Sequence, residues 1–346
     1  MTLPKTMKAL QLKAVGRLEL VEIPRPQPAQ DEVLVQTAAA TICTSDLSDI
    51  AGNVFGVALP RVLGHEGAGI VAAVGGQVRG LVVGQRVAAH PVVPCRRCEN
   101  CGRGLGHLCL AMGHLGIDRD GTFAEYFVLR ADRVRPVPDH LDLAVAALME
   151  PTCVCIESLR RSRLRQGETL LIVGDGPFGI LTARLALRCR PRKVILVGRH
   201  DFRLRHVPEA VLIHEKQVSS PLEAVLREAE GSGVDAAILC AGSQSALDLC
   251  VAGVRARGRV VVFSTIPGRP TVDLFRVQIK ELEILGACND EDELDPALEH
   301  LADPGLGLGA LVTHRVAFAR WERALELASR GKEEALKVAI TFGETG

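Results

Sequence analysis

The sequence predicts an α/β protein of two domains, one of which contains a doubly wound parallel sheet. The chain has 346 residues, which exceeds the roughly 100–200 residues of a typical single domain. Its middle part alternates short apolar runs with amphipathic stretches, as in a sheet covered by helices on both faces. Its first part instead contains short β-rich runs interrupted by glycine and proline, a pattern typical of an irregular strand-dominated domain.

The composition is that of a globular protein without a polyanionic partner. Hydrophobic residues make up 47% of the chain and charged residues 24%, the balance of a folded rather than a disordered chain. The 41 basic and 41 acidic residues cancel, so we expect no nucleic acid or membrane partner. The N-terminus lacks the apolar stretch of a signal peptide. We therefore expect a cytoplasmic protein.

These patterns divide the chain into three segments. Residues 1–152 form the strand-dominated segment, residues 153–287 the alternating one, and residues 288–346 a mixed one with an amphipathic helix at Trp321–Ser329. The last segment is too short for a separate domain, so we expect it to fold back onto the first. The runs that predict strands in the first segment are Glu32–Gln36, Gly69–Val74 and Gln85–Ala89.

The alternating segment predicts the parallel sheet. Its strands are apolar throughout and only four or five residues long, so both faces of the sheet are expected to be covered. In order, its predicted elements are the strand LLIVG, the helix Pro177–Leu187, the strand KVILV, the helix Pro221–Glu230, the strand AAILC, the helix Ser245–Ala256 and the strand RVVVF.

A glycine-rich loop follows the first strand of this sheet. Gly174, Gly176 and Gly179 form G-D-G-P-F-G, in which Pro177 and Phe178 open the next helix. Between a strand and a helix, this spacing is the fingerprint of a dinucleotide site, because the glycines let the backbone approach the pyrophosphate. An ordinary glycine turn is the alternative.

The end of the second strand indicates which dinucleotide binds. An NAD site carries an acid there that binds the ribose hydroxyls, but this strand ends in Gly198, Arg199 and His200. Without that acid a 2′-phosphate is not repelled, and the Arg199 guanidinium can bind it in bidentate fashion. We therefore expect NADP(H) rather than NAD(H). Alternatively, Arg199 is solvated and Asp201 acts as the acid.

The cysteines indicate a metal lobe. Their number, 11, is odd, which favours metal ligands and buried thiols over a disulfide framework. Cys95, Cys98, Cys101 and Cys109 have the spacing C-x2-C-x2-C-x7-C. Four thiolates so close in sequence can surround a structural zinc ion. Disulfide bonds are the alternative.

A second set of ligand-type residues is dispersed along the first segment. Cys43, His65 with Glu66, and Glu150 offer a sulfur, a nitrogen and carboxylate oxygens, which suits a zinc ion with an open coordination position. Asp46 is expected to orient the His65 imidazole. Alternatively, Cys43 is a core thiol, His65 is a core histidine whose hydrogen bonds are made within the protein, and Asp46 is a solvated loop acid.

Together these motifs resemble the zinc-dependent medium-chain dehydrogenase/reductase family of alcohol and polyol dehydrogenases. The resemblance covers essentially the whole chain. It rests on G-H-E-x2-G-x5-G from Gly64 to Gly75, the cysteine lobe, D-G-x-F-A-E-Y from Asp120 to Tyr126, and V-G-D-G-P-F-G, which follow the family's order. It implies a GroES-like catalytic domain, a Rossmann domain, and a C-terminal segment that returns to the former.

The resemblance also implies roles for the dispersed residues. Cys43, His65 and Glu150 would ligate a catalytic zinc, the second zinc ion of the chain. Glu66 would lie beside it and exchange onto it, and Ser45 would begin a proton relay. The Glu-Pro pair at Glu150 is similar to that of polyol and sorbitol dehydrogenases, whereas classical alcohol dehydrogenases carry a cysteine there.

Three further positions leave alternatives open. Many members have a histidine at the position of Ser48 as the outer end of the relay, so Ser48, a water chain or another residue that connects to solvent would have to replace it. Cys153 and Cys155 are close enough in sequence to be rival ligands, and buried thiols are the other interpretation.

The predicted activity is reversible hydride transfer between NADP(H) and a secondary alcohol or ketone, with a polyol, sugar or cyclitol as substrate. The segments beginning at Leu115 and Leu311 are similar to cyclitol-type dehydrogenases of aminoglycoside pathways. The alternatives are a zinc-free quinone or enoyl reductase of the same superfamily and a non-catalytic NADP- or zinc-binding protein. By analogy with related enzymes we expect a homo-oligomer, a dimer or tetramer.

Overall fold

The computed structural model describes residues 3–290, 292–330 and 334–343. The chain forms two compact units, Met1–Pro151 with Leu294–Gly346, and Thr152–Glu293. The first unit gives way to the second after residue 151, one residue before the boundary expected from the sequence. The chain returns to the first unit after residue 293, six residues after the expected boundary. No helix within the described ranges is long and apolar enough to cross a membrane.

The first unit is built mainly on β-sheet. Its strands vary from two to ten residues and are irregularly spaced, as the glycine and proline content of the segment predicts. In chain order its elements before the second unit are β1 (Thr6–Ala14), β2 (Arg17–Pro24), β3 (Glu32–Thr41), α1 (Thr44–Gly52), β4 (Arg61–Val62), β5 (Glu66–Val74), β6 (Arg86–Ala89), β7 (Val92–Val93), α2 (Glu99–Gly102), β8 (Gly113–His114), β9 (Tyr126–Arg130), β10 (Val134–Pro136) and α3 (Leu143–Ala146), followed by α4 (Met149–Ser162), which continues into the second unit.

The second unit contains the predicted parallel sheet. Its elements are β11 (Thr169–Val173), α5 (Pro177–Ala186), β12 (Lys193–Gly198), α6 (Asp201–Leu204), β13 (Val211–His214), α7 (Pro221–Glu228), β14 (Val234–Leu239), α8 (Gln244–Gly253), β15 (Val254–Val262), α9 (Leu274–Ile279) and β16 (Glu283–Gly286). The six strands are all parallel, in the order β13-β12-β11-β14-β15-β16. Every residue of β11 is buried, as expected of a central strand covered on both faces. The strand order reverses between β11 and β14, so a ligand is expected at the carboxyl ends of these strands.

One predicted helix of this unit is too long. The sequence predicts a helix at Ser245–Ala256, whereas α8 ends at Gly253 and residues 254–256 begin β15. Val254 is fully buried and pairs with Val234 of β14. Pairing within the sheet therefore overrides the helical periodicity at this end.

The C-terminal segment completes the main sheet of the first unit. It contains α10 (Leu294–Ala302), β17 (Val312–Ala317), α11 (Trp321–Arg330) and β18 (Lys337–Thr341). Strands of this sheet follow the order β10-β6-β5-β3-β18-β17, and β9 also pairs with β3. Thr41 at the end of β3 pairs with Glu66 at the start of β5 on one side and with Ala339 of β18 on the other. This register brings the first residue of β18, Lys337, to the same end of the sheet.

Candidate active site

The start of α1 fixes Cys43 and Asp46 in one turn of chain. Cys43 is the N-cap residue of the helix, and its backbone N–H donates to Oδ2 of Asp46 at 2.9 Å. An acid three residues after the N-cap satisfies an N–H group that the helix leaves unpaired. Both residues are buried. The sequence C-T-S-D therefore holds a thiol and a carboxylate side by side.

The imidazole of His65, just before β5, faces the same carboxylate. Its Nδ1 lies 3.2 Å from Oδ1 of Asp46, which confirms that Asp46 orients His65. With the proton on Nδ1, Nε2 remains available to bind a metal. Burial lowers the pKa of His65, but the charge of Asp46, its hydrogen bond and the neighbouring Cys43 together raise that pKa well above its usual value.

Cys43, His65 and Glu66 form a cluster that fits a zinc ion. One ligand atom from each residue lies within 4.8 Å of the other two, and all three residues are buried. Zinc bonds of about 2.0–2.3 Å place two tetrahedral ligands roughly 3.3–3.8 Å apart, so both the spacing and the donor types suit this ion. Glu150 is buried in the same unit but lies outside this group of three. Its role as a ligand stays a prediction.

Glu66 is held by two residues that sequence reasoning missed. Nζ of Lys337 contacts both carboxylate oxygens, with 2.6 Å to Oε2, and the Thr41 hydroxyl donates to Oε2. The side chains of Lys337 and Glu66 are 2% and 0% exposed. Burial alone lowers the pKa of Lys337, but the charge of Glu66 and the further charges of Cys43 and Glu150 raise it above its ordinary value. Lys337 is therefore charged within the core of the first unit.

His114 is a further residue to which the sequence assigns no role. Its ring centroid lies 5.7 Å from that of His65, and its Nδ1 is 2.7 Å from the backbone oxygen of Leu115. Burial, followed by the charge of His65, lowers the pKa of His114 to about 4. A neutral imidazole therefore stands beside the cluster near pH 7.

The remaining residues predicted near the catalytic zinc have the following positions. Ser45 is half-buried in the first turn of α1, and its part in a proton relay stays a prediction. The hydroxyl of Ser48 donates to the backbone oxygen of Thr44 at 2.9 Å. Cys153 and Cys155 belong to the second unit, where the Cys155 thiol faces the backbone oxygen of Phe178 at 3.5 Å.

The four-cysteine lobe forms a second cluster. The sulfur atoms of Cys95, Cys98, Cys101 and Cys109 all lie within 4.8 Å of one another, and Cys98 is 3.5 Å from Cys101 and 3.8 Å from Cys109. Sulfur atoms on a zinc tetrahedron are about 3.8 Å apart. All four are free thiols, which does not support the disulfide alternative. The backbone N–H of Cys101, followed by that of Leu110, lowers the pKa of Cys98 to about 6, which favours the thiolate that a metal requires.

A cavity of about 670 Å³ lies in the second unit where β11, β12 and β14 end. The loop after β11 requires its glycines: a Cβ on Gly174 would lie 2.7 Å from the backbone of Cys240, and one on Gly179 would lie 1.9 Å from the Gly174 oxygen. Gly176 is the N-cap of α5, with proline at the first helical position, so the helix N-terminus faces the loop. The predicted residues that line the cavity are Gly174, Gly176, Gly198, Arg199 and His200, whereas Pro177, Phe178 and Gly179 lie in α5.

Arg199 lines the cavity and is paired with Glu215. Its Nε lies 2.7 Å and its Nη2 3.1 Å from the two carboxylate oxygens, and the hydrogen bond from Arg199 lowers the pKa of Glu215. Asp201, the alternative acid, is 71% exposed with its Oδ1 3.7 Å from Nε2 of His214, and it is not a lining residue of the cavity.

A zinc-type cluster in a GroES-like unit and a dinucleotide-type cavity in a Rossmann unit define the class of zinc-dependent dehydrogenases. The chain belongs to the medium-chain family of these enzymes, the alcohol and polyol dehydrogenases. Residues 29–139 match the family model described as alcohol dehydrogenase GroES-like domain, and residues 177–303 match the one described as zinc-binding dehydrogenase.

Individual relatives agree over almost the whole chain. A sorbitol dehydrogenase of Bacillus subtilis (strain 168) is 32% identical and covers 98% of each chain. An L-threonine 3-dehydrogenase of Pyrococcus horikoshii is also 32% identical, over 95% of this chain and 97% of its own. A zinc-binding dehydrogenase of Sinorhizobium meliloti 1021 bound to NADP has a TM-score of 0.90 at 27% identity, over 98% of this chain and 100% of its own. An alcohol dehydrogenase of Escherichia coli CFT073 complexed with NADH has a TM-score of 0.90 at 28% identity, over the same shares of the two chains. The predicted family, fold class and enzyme class are confirmed.

Proposed function

We propose that the enzyme transfers a hydride between NADP(H) and a secondary alcohol or ketone, with a polyol, sugar or cyclitol as substrate and a zinc ion at the Cys43–His65 cluster. The observation that carries this proposal is the pair of the Cys43 thiol and the His65 imidazole, both buried, whose ligand atoms lie within 4.8 Å of each other. The names of the relatives support a secondary alcohol as substrate, because sorbitol and threonine both carry secondary hydroxyl groups, and sorbitol is itself a polyol.

Cys43 and His65 would hold the catalytic zinc directly. A zinc ion there acts as a Lewis acid that lowers the pKa of an alcohol or polarises a ketone. Asp46 keeps the His65 ring oriented through the 3.2 Å contact. Because the Glu66 oxygens already accept from Lys337 and Thr41, Glu150 is our choice for the carboxylate ligand, with Glu66 beside it. Ser45 would pass the proton of the substrate hydroxyl outward.

NADP(H) would bind in the cavity of the second unit. The tight glycine loop and the N-terminus of α5 suit a pyrophosphate, and the Arg199 guanidinium suits a 2′-phosphate. One structural relative carries NADP and another NADH, so the choice of cofactor depends on the chain's own residues. The cytoplasmic location stays a prediction.

A turnover panel tests this function. We expect oxidation of at least one polyol, sugar alcohol or cyclitol with NADP⁺, and a higher kcat/KM for NADPH than for NADH in the reverse direction. Turnover with NADH at least as efficient as with NADPH would refute the cofactor preference. Cofactor binding without turnover of any alcohol, aldehyde or ketone would favour the non-catalytic alternative.

The four-cysteine lobe would hold a structural zinc ion. Cys98→Ser removes one of four ligands, so we expect the zinc content to fall from about two ions per chain to about one and the melting temperature to fall, because binding free energy at such sites is folding free energy. The half-buried Cys189 of the second unit provides the control, since Cys189→Ser should retain both ions. Unchanged zinc content in Cys98→Ser would contradict the assignment.

The edge of the parallel sheet is our candidate for self-association into a dimer or higher homo-oligomer. β16 is an edge strand, and the preceding helix α9 exposes Leu274, Phe275 and Ile279 at 73%, 70% and 61%. An open sheet edge beside exposed apolar side chains is a typical protein-binding surface. Light scattering that gave the mass of a monomer would refute this proposal.

A further inference from the structure

Asp175, the variable residue of the G-D-G loop, is a buried acidic residue. It is 6% exposed and lines the cavity of the second unit. Its Oδ2 accepts the backbone N–H groups of Arg199 and His200, each at 2.7 Å. Hydrogen bonds to a carboxylate are stronger than neutral ones, so Asp175 fixes the backbone that directly follows β12.

Asp175 also occupies the space that a side chain at Gly198 would need. A Cβ on Gly198 would lie 2.5 Å from Cβ and 2.7 Å from Oδ2 of Asp175, closer than these atoms can approach. Gly198 is the last residue of β12, the position at which an NAD site carries its ribose-binding acid. The side chain of Asp175 therefore excludes that acid.

Basic side chains surround Asp175 at the cavity. Nδ1 of His200 lies 3.0 Å from Oδ2 and 3.3 Å from Oδ1, and Nη1 of Arg203 lies 3.9 Å from Oδ1. Arg199, His200 and Arg203 all line the same cavity. Since Oδ2 already accepts two N–H groups, this geometry suits a carboxylate that holds basic groups in place rather than one that binds a ribose hydroxyl.

We propose that Asp175 is a positioning residue for cofactor discrimination. It fixes the backbone from which the side chains of Arg199 and His200 reach the 2′-phosphate of NADP(H), and it keeps an acid out of position 198. This inference rests on the proposed NADP(H) preference and adds the residue that produces it, which lies in the glycine loop rather than at the end of β12.

Binding of 2′,5′-ADP and 5′-AMP, measured by calorimetry on the full-length enzyme, tests the proposal because the two nucleotides differ in the 2′-phosphate. We expect Asp175→Ala to weaken 2′,5′-ADP binding by about tenfold or more while 5′-AMP binding changes little. Asp175→Asn keeps an oxygen for the two N–H groups and should restore part of the loss. Asp201→Asn removes a nearby exposed carboxylate and should leave both affinities unchanged.

A double variant tests the exclusion of the acid. Only glycine removes the Asp175 Cβ that lies 2.5 Å from a Cβ at position 198, so Asp175→Gly combined with Gly198→Asp should shift the preference toward 5′-AMP and NADH. Circular dichroism checks that each variant is folded, and Asp175→Asn with the double variant decides the question if Asp175→Ala does not fold.

The outcomes separate this inference from the proposed function. If Asp175→Ala lost affinity equally for both nucleotides, the residue would have a structural role only. If it lost more affinity for 5′-AMP than for 2′,5′-ADP, Asp175 itself would be the ribose-binding acid. Either result overturns the inference. Wild-type enzyme that binds 5′-AMP as tightly as 2′,5′-ADP would instead refute the NADP(H) preference, and the inference with it.

Discussion

Cys43→Ser is expected to lower kcat/KM by at least about a thousandfold. Cys43 is the buried thiol of the cluster with His65 and Glu66, and a catalytic zinc contributes several kcal/mol of charge stabilisation, of which each 1.36 kcal/mol is about tenfold in rate. The zinc content should fall by one ion per chain while the four-cysteine lobe keeps its own. Steady-state kinetics and elemental analysis of the same preparation measure both effects.

Cys155→Ser is the matched control for this prediction. Cys155 is a buried thiol that sequence spacing makes a rival ligand, and its sulfur faces the backbone oxygen of Phe178. We expect the Cys155→Ser enzyme to keep its zinc and most of its activity. If Cys155→Ser lost the ion and Cys43→Ser kept it, the ligand assignment would be wrong.

Lys337→Met is expected to destabilise the enzyme by about 3–5 kcal/mol, because removal of one partner of a buried ion pair leaves the other charge uncompensated. The partner is Glu66, whose side chain is fully buried and whose oxygens contact Lys337 Nζ and the Thr41 hydroxyl. Urea unfolding of the zinc-loaded enzyme measures the loss in free energy of unfolding.

A second substitution separates charge from packing at this pair. Lys337→Met combined with Glu66→Gln leaves no uncompensated charge, so it should recover a large part of the stability lost in the single variant. Lys337→Arg keeps the charge, so it should lower the free energy of unfolding less than Lys337→Met does. A single variant as stable as the wild type, or a double variant no better than the single one, would contradict the role assigned to the pair.

Local spacing was sufficient to predict the parts of the enzyme that are formed by neighbouring residues. The four cysteines lie within 15 positions and meet in one cluster. Asp46 is three residues from Cys43, and a helix start brings them together. The glycine loop is recognisable because a strand precedes it and a helix follows.

Contacts set by strand register could not be predicted in this way. Lys337 and Glu66 are 271 positions apart, and the only local signal is a lysine at the start of an apolar strand. His114 comes beside His65 through the fold of the first unit. Asp175 stands at a variable position of the glycine motif, so the motif's spacing gives no signal for its hydrogen bonds to the end of β12.

Anomalous diffraction at the zinc absorption edge, from crystals of the enzyme as isolated, tests the catalytic metal centre most directly. We expect one peak within about 2.0–2.3 Å of both Cys43 Sγ and a ring nitrogen of His65, and a second peak within about 2.3 Å of the four sulfurs of the lobe. A peak in the lobe alone, with none shared by Cys43 and His65, would contradict the proposed chemistry of this enzyme.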